Sequence, residues 1–295
     1  MKIENKGIVY LVLASICYAV MSVLIRLLAK EIPAFSQIFL RYIVAATTIF
    51  VFAKISKTNL RLKNTKDYLI MFFIAVFGYA FSTIFFTLAI LNTTIANTIF
   101  IFSTNVVLTP ILGFIFLQER FSKFKLISIL LSVIGLYFLF KPTNLINPMG
   151  GIFAFISAIF HASYLIGGRK LKSYPAKTLL VYSTLCGVIS LGIISLIFES
   201  NFYFPTGTLH QSIFTLSPFI WMIILIFGLD NFLAWLFLNK GLQTVKAGTS
   251  SVILLIEPVL ASILGILFYA EIPQILSILG MIIISTGIIL AAKEK

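Results

Sequence analysis

The chain has 295 residues and a net charge of +13; 60% of its residues are hydrophobic and 11% are charged. Ordinary soluble domains are roughly 45–50% apolar and about 25% charged, so too little polar surface remains here to cover a water-soluble globule. The positive charge does not point to nucleic acid, because Lys and Arg fall in the short gaps between apolar blocks and no basic helix face with interleaved aromatics lies outside them.

Ten apolar blocks of about bilayer-spanning length can be read in chain order. The first, Ile8–Leu28, follows the charged segment Met1–Lys6. The run from Gly7 to Leu28 exceeds the roughly 7–15 apolar residues of a signal peptide and ends on Arg26 and Lys30, so it reads as a retained helix carrying Tyr18. The second, Phe35–Ala53, has Arg41 about two turns in, and the third, Tyr68–Leu91, holds Tyr79. The fourth, Ile95–Leu117, contains Asn105 and Pro110, and the fifth is Phe124–Phe140. The sixth, Gly150–Gly168, contains His161, and the seventh is Thr178–Phe198. The eighth, Pro218–Asn239, contains Asp230, Asn231 and Trp235. The ninth, Ala247–Tyr269, contains Glu257 followed by Pro258, and the tenth is Pro273–Ala292.

The blocks are apolar on all faces, whereas barrel strands alternate apolar and polar residues over about ten positions, so helices are predicted. Cys17 and Cys186 belong to no CxxC or Cys/His cluster and read as small buried hydrophobes, with no metal site and no disulfide. No cofactor motif is present, and the absence of GxxxxGK[ST] means that the chain does not power itself with ATP.

Charge placement gives the orientation. With the N-terminus inside, 18 Lys and Arg fall in inside segments, against three outside (Arg26, Lys30 and Lys141), and Arg41 lies within a span. The alternation holds in every loop, so the sequence predicts a multi-pass protein of the cytoplasmic membrane with both termini cytoplasmic. The long loop Glu199–Ser217 faces outside, lacks Lys and Arg, and is placed to cover part of the outer opening.

The two halves of the chain are alike. Val107–Glu119 (VLTPILGFIFLQE) and Val259–Glu271 (VLASILGILFYAE) match at seven of thirteen positions without a gap, including Gly113/Gly265 and Glu119/Glu271. At the same offset Phe85 meets Phe237 and Gly135 meets Gly287. Pro33-Ala34 before the second span matches Pro175-Ala176 before the seventh. Each half, 1–146 and 147–295, therefore holds five spans, and an odd number inverts the second half relative to the first. Inverted repeats are a signature of secondary transporters, whose binding sites lie near the midplane at the repeat interface.

A five-helix repeat occurring twice, an Arg early in the second span, and Gly-apolar-apolar-Phe followed by Glu at the ends of spans four and nine resemble the drug/metabolite transporter superfamily, in its EamA-type branch. The resemblance covers nearly the whole chain. It implies an all-α integral membrane fold, with ten transmembrane helices arranged as two inverted five-helix repeats around a central cavity. It also implies alternating-access transport, often export of amino acids or related metabolites.

Glu257 is the most informative residue: a carboxylate at mid-membrane normally faces the bundle interior, and Pro258 removes a backbone donor beside it. Its repeat mate is Asn105, with Pro110 about one turn later. Arg41 is expected to pair with a carboxylate or helix end, to snorkel to the outer interface, or to anchor an anionic group of the substrate. Asp230 is a candidate proton or cation carrier or a helix–helix polar contact, and Asn231 and Trp235 are candidates for a polar group and an apolar face. His161, Tyr18 and Tyr79 are candidate lining residues, and Glu119 and Glu271 are expected at the membrane surface closing their spans.

The partners implied are a small-molecule substrate and lipid, with protons as coupling ion if Glu257 or Asp230 carries them; the sequence defines no oligomer. The competing readings are an integral-membrane enzyme and a channel-like permease. HExxH and GxSxG are absent, and two His with two Cys give little catalytic material.

Overall fold

The computed structural model describes residues 3–29, 31–93, 95–120, 122–140, 148–199, 203–206, 209–212, 216–269 and 275–293. Ten helices among them are long and apolar enough to cross a membrane. They are Asn5–Leu28, Ala34–Ile55, Thr65–Asn92, Asn97–Leu117, Lys123–Phe140, Pro148–Lys170, Ala176–Phe198, Pro218–Thr244, Ala247–Leu264 and Ile275–Lys293, which reproduces the span count from sequence with ends shifted by a few residues. Prolines set several starts. Pro33 and Pro175 occupy the N-cap positions of spans two and seven, and Pro218 opens span eight beside Ser217, whose side chain accepts the Ile220 N–H at 3.3 Å.

Three spans depart from regular α-helix. Span three carries a π-helical stretch, Ile74–Phe81, between Thr65–Phe73 and Ser82–Asn92. Spans four and nine are each broken into two half-helices, Ile95–Phe102 with Asn105–Leu117 and Ala247–Ile253 with Ile256–Tyr269. In span nine Pro258 has no N–H for the Leu254 carbonyl, which takes an i+3 bond from Glu257 N at 2.9 Å instead. In span four the Ser103 and Thr104 hydroxyls donate back to the Ile99 and Ile101 carbonyls at 2.7 Å each, competing with the backbone ladder. Sequence placed a break beside a proline in both halves. In the first half the break lies at Ser103–Thr104, whereas Pro110 sits inside a continuous helix. Asn105 and Glu257 nevertheless hold matching places just beyond the two breaks.

Exchange of the halves carries spans one to five onto six to ten, and the packing obeys that exchange. Span one packs on span eight as span six packs on span three; span four packs on six as nine packs on one; span eight packs on two as three packs on seven. Spans two and seven, four and nine, and five and ten pair with their own repeat mates. Small residues let spans five and ten close up: a Cβ on Gly135 would lie 2.9 Å from Gly280 O, and one on Gly287 would lie 2.9 Å from Ser132 Oγ. The outer surface is apolar, with Ile55, Phe198 and Leu267 each more than two-thirds exposed, as a lipid-facing surface requires.

One short element adds to the all-helical reading. β1 (Tyr203–Thr206) and β2 (Leu209–Ser212) pair antiparallel, Tyr203 opposite Ser212 and Thr206 opposite Leu209, within the long loop between spans seven and eight. Whether that loop covers an opening lies outside the described residues, as do the placements of Lys141 and Glu271.

Candidate functional site

A cavity lies inside the bundle, with walls supplied by spans one, two, three, four, six, eight and nine. Its polar lining is Arg41, Glu257, His161, Tyr18, Ser82 and Thr83. Trp235, Met21, Phe86 and Phe102 complete the wall. Sequence position places Met21, Arg41, Phe86 and Phe102 in the half of the bundle away from the face that carries the chain termini.

The lining divides by whether its polar atoms are already used. Ser82 and Thr83 are committed to the protein. Ser82 Oγ donates to Ser157 O at 3.1 Å, and Ser157 Oγ donates to Ser82 O at 2.7 Å. Thr83 Oγ1 donates to Tyr79 O at 2.8 Å and accepts from the Tyr42 hydroxyl at 2.7 Å. Arg41, His161, Tyr18 and Glu257 are not so committed. Arg41 is 0% exposed, yet its Nε, Nη1 and Nη2 have no hydrogen-bond partner among the described residues. The Tyr18 hydroxyl and His161 Nδ1 are likewise buried without a partner. Glu257 is 7% exposed and forms no ion pair among the described residues.

The structure therefore corrects one of the expectations for Arg41: it does not snorkel, since it is fully buried. Its guanidinium nitrogens have no hydrogen-bond partner among the described residues, and the Asp230 carboxylate on span eight lies within electrostatic reach of it. Its guanidinium lies 4.5 Å from the centroid of the Phe227 ring and 5.6 Å from that of Tyr42, so an aromatic shelf carries the charge at the cavity wall. Its repeat mate Ser183 is buried as well and meets the Tyr164 hydroxyl at 3.4 Å.

Trp235 forms the aromatic floor. Its ring meets Tyr79 at 4.4 Å and Tyr164 at 4.7 Å, both edge-on, with Tyr18 at 5.9 Å and His161 at 6.1 Å. One turn to either side of it along span eight, Asn231 Nδ2 donates to the Tyr79 hydroxyl at 3.2 Å, and Asn239 Nδ2 donates to the Tyr164 hydroxyl at 2.9 Å. Gly78 and Gly187 make room for this layer: a Cβ on Gly78 would lie 2.8 Å from Tyr164 Cβ, and one on Gly187 would lie 3.1 Å from Tyr79 Cε1. The π-helical turn of span three passes through this crowded zone.

Of the residues singled out in sequence, Tyr18, Arg41, His161, Trp235 and Glu257 come together on the cavity wall. Tyr79 and Asn231 lie one layer behind it, bonded to each other. Asn105 is buried at its helix break and does not belong to the lining. Asp230 is half-buried on span eight outside the lining, with one carboxylate oxygen buried and unpartnered. Sequence reasoning missed Met21, Ser82, Thr83, Phe86 and Phe102; for the three on span three, their i, i+1, i+4 spacing on one face of a helix was the available signal.

Comparisons with known proteins agree with this fold. The profile of the EamA-like transporter family matches residues 5–141 and again 148–293. A Clostridium kluyveri protein described as a transporter is 24% identical over 97% of this chain and 93% of its own length. The pseudopaline exporter CntI of Pseudomonas aeruginosa is 23% identical over 99% of this chain and 97% of its own. A solved crystal structure superposes with a TM-score of 0.77 at 14% identity, covering 98% of this chain and 97% of that one, which shows the shared fold. With both halves matched by one profile, the chain belongs to the EamA-like transporter family.

Proposed function

We propose that this protein is a secondary carrier that moves a small zwitterionic metabolite, an amino acid or related compound, out of the cell by alternating access. The observation that carries the reading is a pair of ionisable side chains of opposite type, one basic and one acidic, in one cavity. Arg41 and Glu257 both line it, and no ion pair joins them. A charge buried within a membrane span is costly, so such residues usually face a partner, water or a transported ligand. A molecule with a carboxylate and an ammonium group satisfies both at once, with Tyr18 and His161 Nδ1 available for further polar contacts and Trp235 for its carbon skeleton.

The cavity lies at the level of the breaks in spans four and nine, the arrangement secondary carriers use to present a site near the midplane. Export is the direction named for one relative. The charge asymmetry of the loops supports insertion in the cytoplasmic membrane with the termini inside. Purified protein in liposomes, loaded with unlabelled amino acids and offered the labelled forms outside, tests this reading. It predicts saturable counterflow for at least one of them. Labelled uptake that never saturates and shows no counterflow would point to a channel-like pathway instead.

A further inference from the structure

Spans two and seven are continuous and tied together at both ends. On the side away from the termini, Glu199 accepts from Phe35 N at 2.7 Å and Ser36 N at 2.6 Å. On the termini side, Thr178 Oγ1 donates to Asn59 O at 2.8 Å and the Tyr182 hydroxyl donates to Leu60 O at 3.0 Å. Spans four and nine differ: each is broken at mid-depth, so each half-helix has a hinge at one end.

At the termini side, one carboxylate joins these broken spans. Span four ends at Gln118, whose φ of 55° turns the chain so that Glu119 N bonds back to Gly113 O at 3.1 Å. Glu119 then reaches across to span nine, where Oε1 accepts Ala247 N at 2.9 Å and Oε2 accepts Gly248 N at 3.3 Å. Lys125, at the start of span five and only 1% exposed, places Nζ 3.5 Å from the same Oε2. Gly248 makes room for it, since a Cβ there would lie 2.6 Å from Lys125 Nζ. Every residue of the half-helix it holds, Ala247–Ile253, is buried. That half-helix ends at Ile253, four residues before Glu257.

We propose that Glu119 and Lys125 form the latch of the cytoplasmic gate. They hold the Ala247–Ile253 half-helix across the path from the cavity to the cytoplasm, and the gate opens when the carboxylate releases Ala247 and Gly248. The inference rests on the carrier reading above. It assigns Glu119 a mechanical role rather than contact with substrate, because the residue does not belong to the cavity lining.

The test uses the full chain in a Cys17→Ala/Cys186→Ala background with one reporter thiol at a time. Ser251→Cys reports the cytoplasmic path and Met21→Cys reports the outer cavity, each alkylated by a membrane-impermeant maleimide in vesicles of defined sidedness. Glu119→Ala should raise alkylation at position 251 about tenfold, the shift expected when a charge-assisted hydrogen bond is removed from one of two states. Alkylation at position 21 from outside should fall in step. Lys125→Met should move both rates the same way by less, and Glu119→Gln, which keeps an acceptor, should fall between. Unchanged rates would overturn the latch, and so would a rise at both positions, which marks general loosening rather than exchange of access. Amino-acid counterflow on the unmodified chain separates the two ideas: counterflow present with unmoved rates overturns the latch alone, while no counterflow with reciprocal rates leaves the latch and overturns the choice of substrate.

Discussion

Arg41 and Glu257 face one cavity from spans two and nine, and neither neutralises the other. A structural ion pair would have brought them into contact, because breaking a buried pair costs about 3–5 kcal/mol. In the proposed function the two residues are the ends of a dipolar site that a ligand would bridge.

Arg41→Met follows directly from that arrangement. Since the guanidinium has no hydrogen-bond partner among the described residues, removing its charge should leave the melting temperature in detergent unchanged or raised. Transport should be lost. A fall in stability of several kcal/mol, the cost of breaking a buried partnership, would show that Arg41 is a packing residue. Thermal melting and counterflow on the same preparation supply both quantities.

Asn231 should behave in the opposite way. Its amide supports the Tyr79 hydroxyl at 3.2 Å and stands behind the lining. Asn231→Leu should cost about 1 kcal/mol of stability, since one buried hydrogen bond is lost. The KM of the carried substrate should stay within about twofold, because no substrate contact is removed. A large KM change at normal stability would place Asn231 in the binding site.

Topology is open to direct labelling. A thiol at Thr206 in the β1 strand should react with an impermeant reagent from outside intact cells, and a thiol at Lys63 should not, as the loop charges require. The reverse pattern would place the termini, and the gate proposed beside Glu119, on the outside.

The span count and the repeat were legible because hydrophobic length and loop charge are local properties of sequence, and because Val107–Glu119 and Val259–Glu271 share a register. The approximate depth of Glu257 was legible for the same reason. What escaped was set by helix rotation and by contacts distant in sequence. Thr83 lines the cavity because span three winds through a π-helical turn, which hydropathy does not reveal. Lys125 looked like one more inside charge, but it is buried against Glu119 because Gly248, far along the chain, leaves space for it. For Arg41 the sequence left pairing, snorkelling and substrate anchoring open; its burial against Phe227 and Tyr42 is visible only once the surrounding spans are in place.

Glu257→Gln tests the central claim most directly. Gln keeps the shape and can still hydrogen-bond, so folding is largely spared while the negative charge and the exchangeable proton are both removed. Gradient-driven transport of the identified substrate should be abolished in proteoliposomes, with a melting temperature within a few degrees of the parent protein, as expected for a change worth about 1 kcal/mol or less. Normal gradient-driven transport by Glu257→Gln, or a loss of transport fully accounted for by unfolding, would contradict the account.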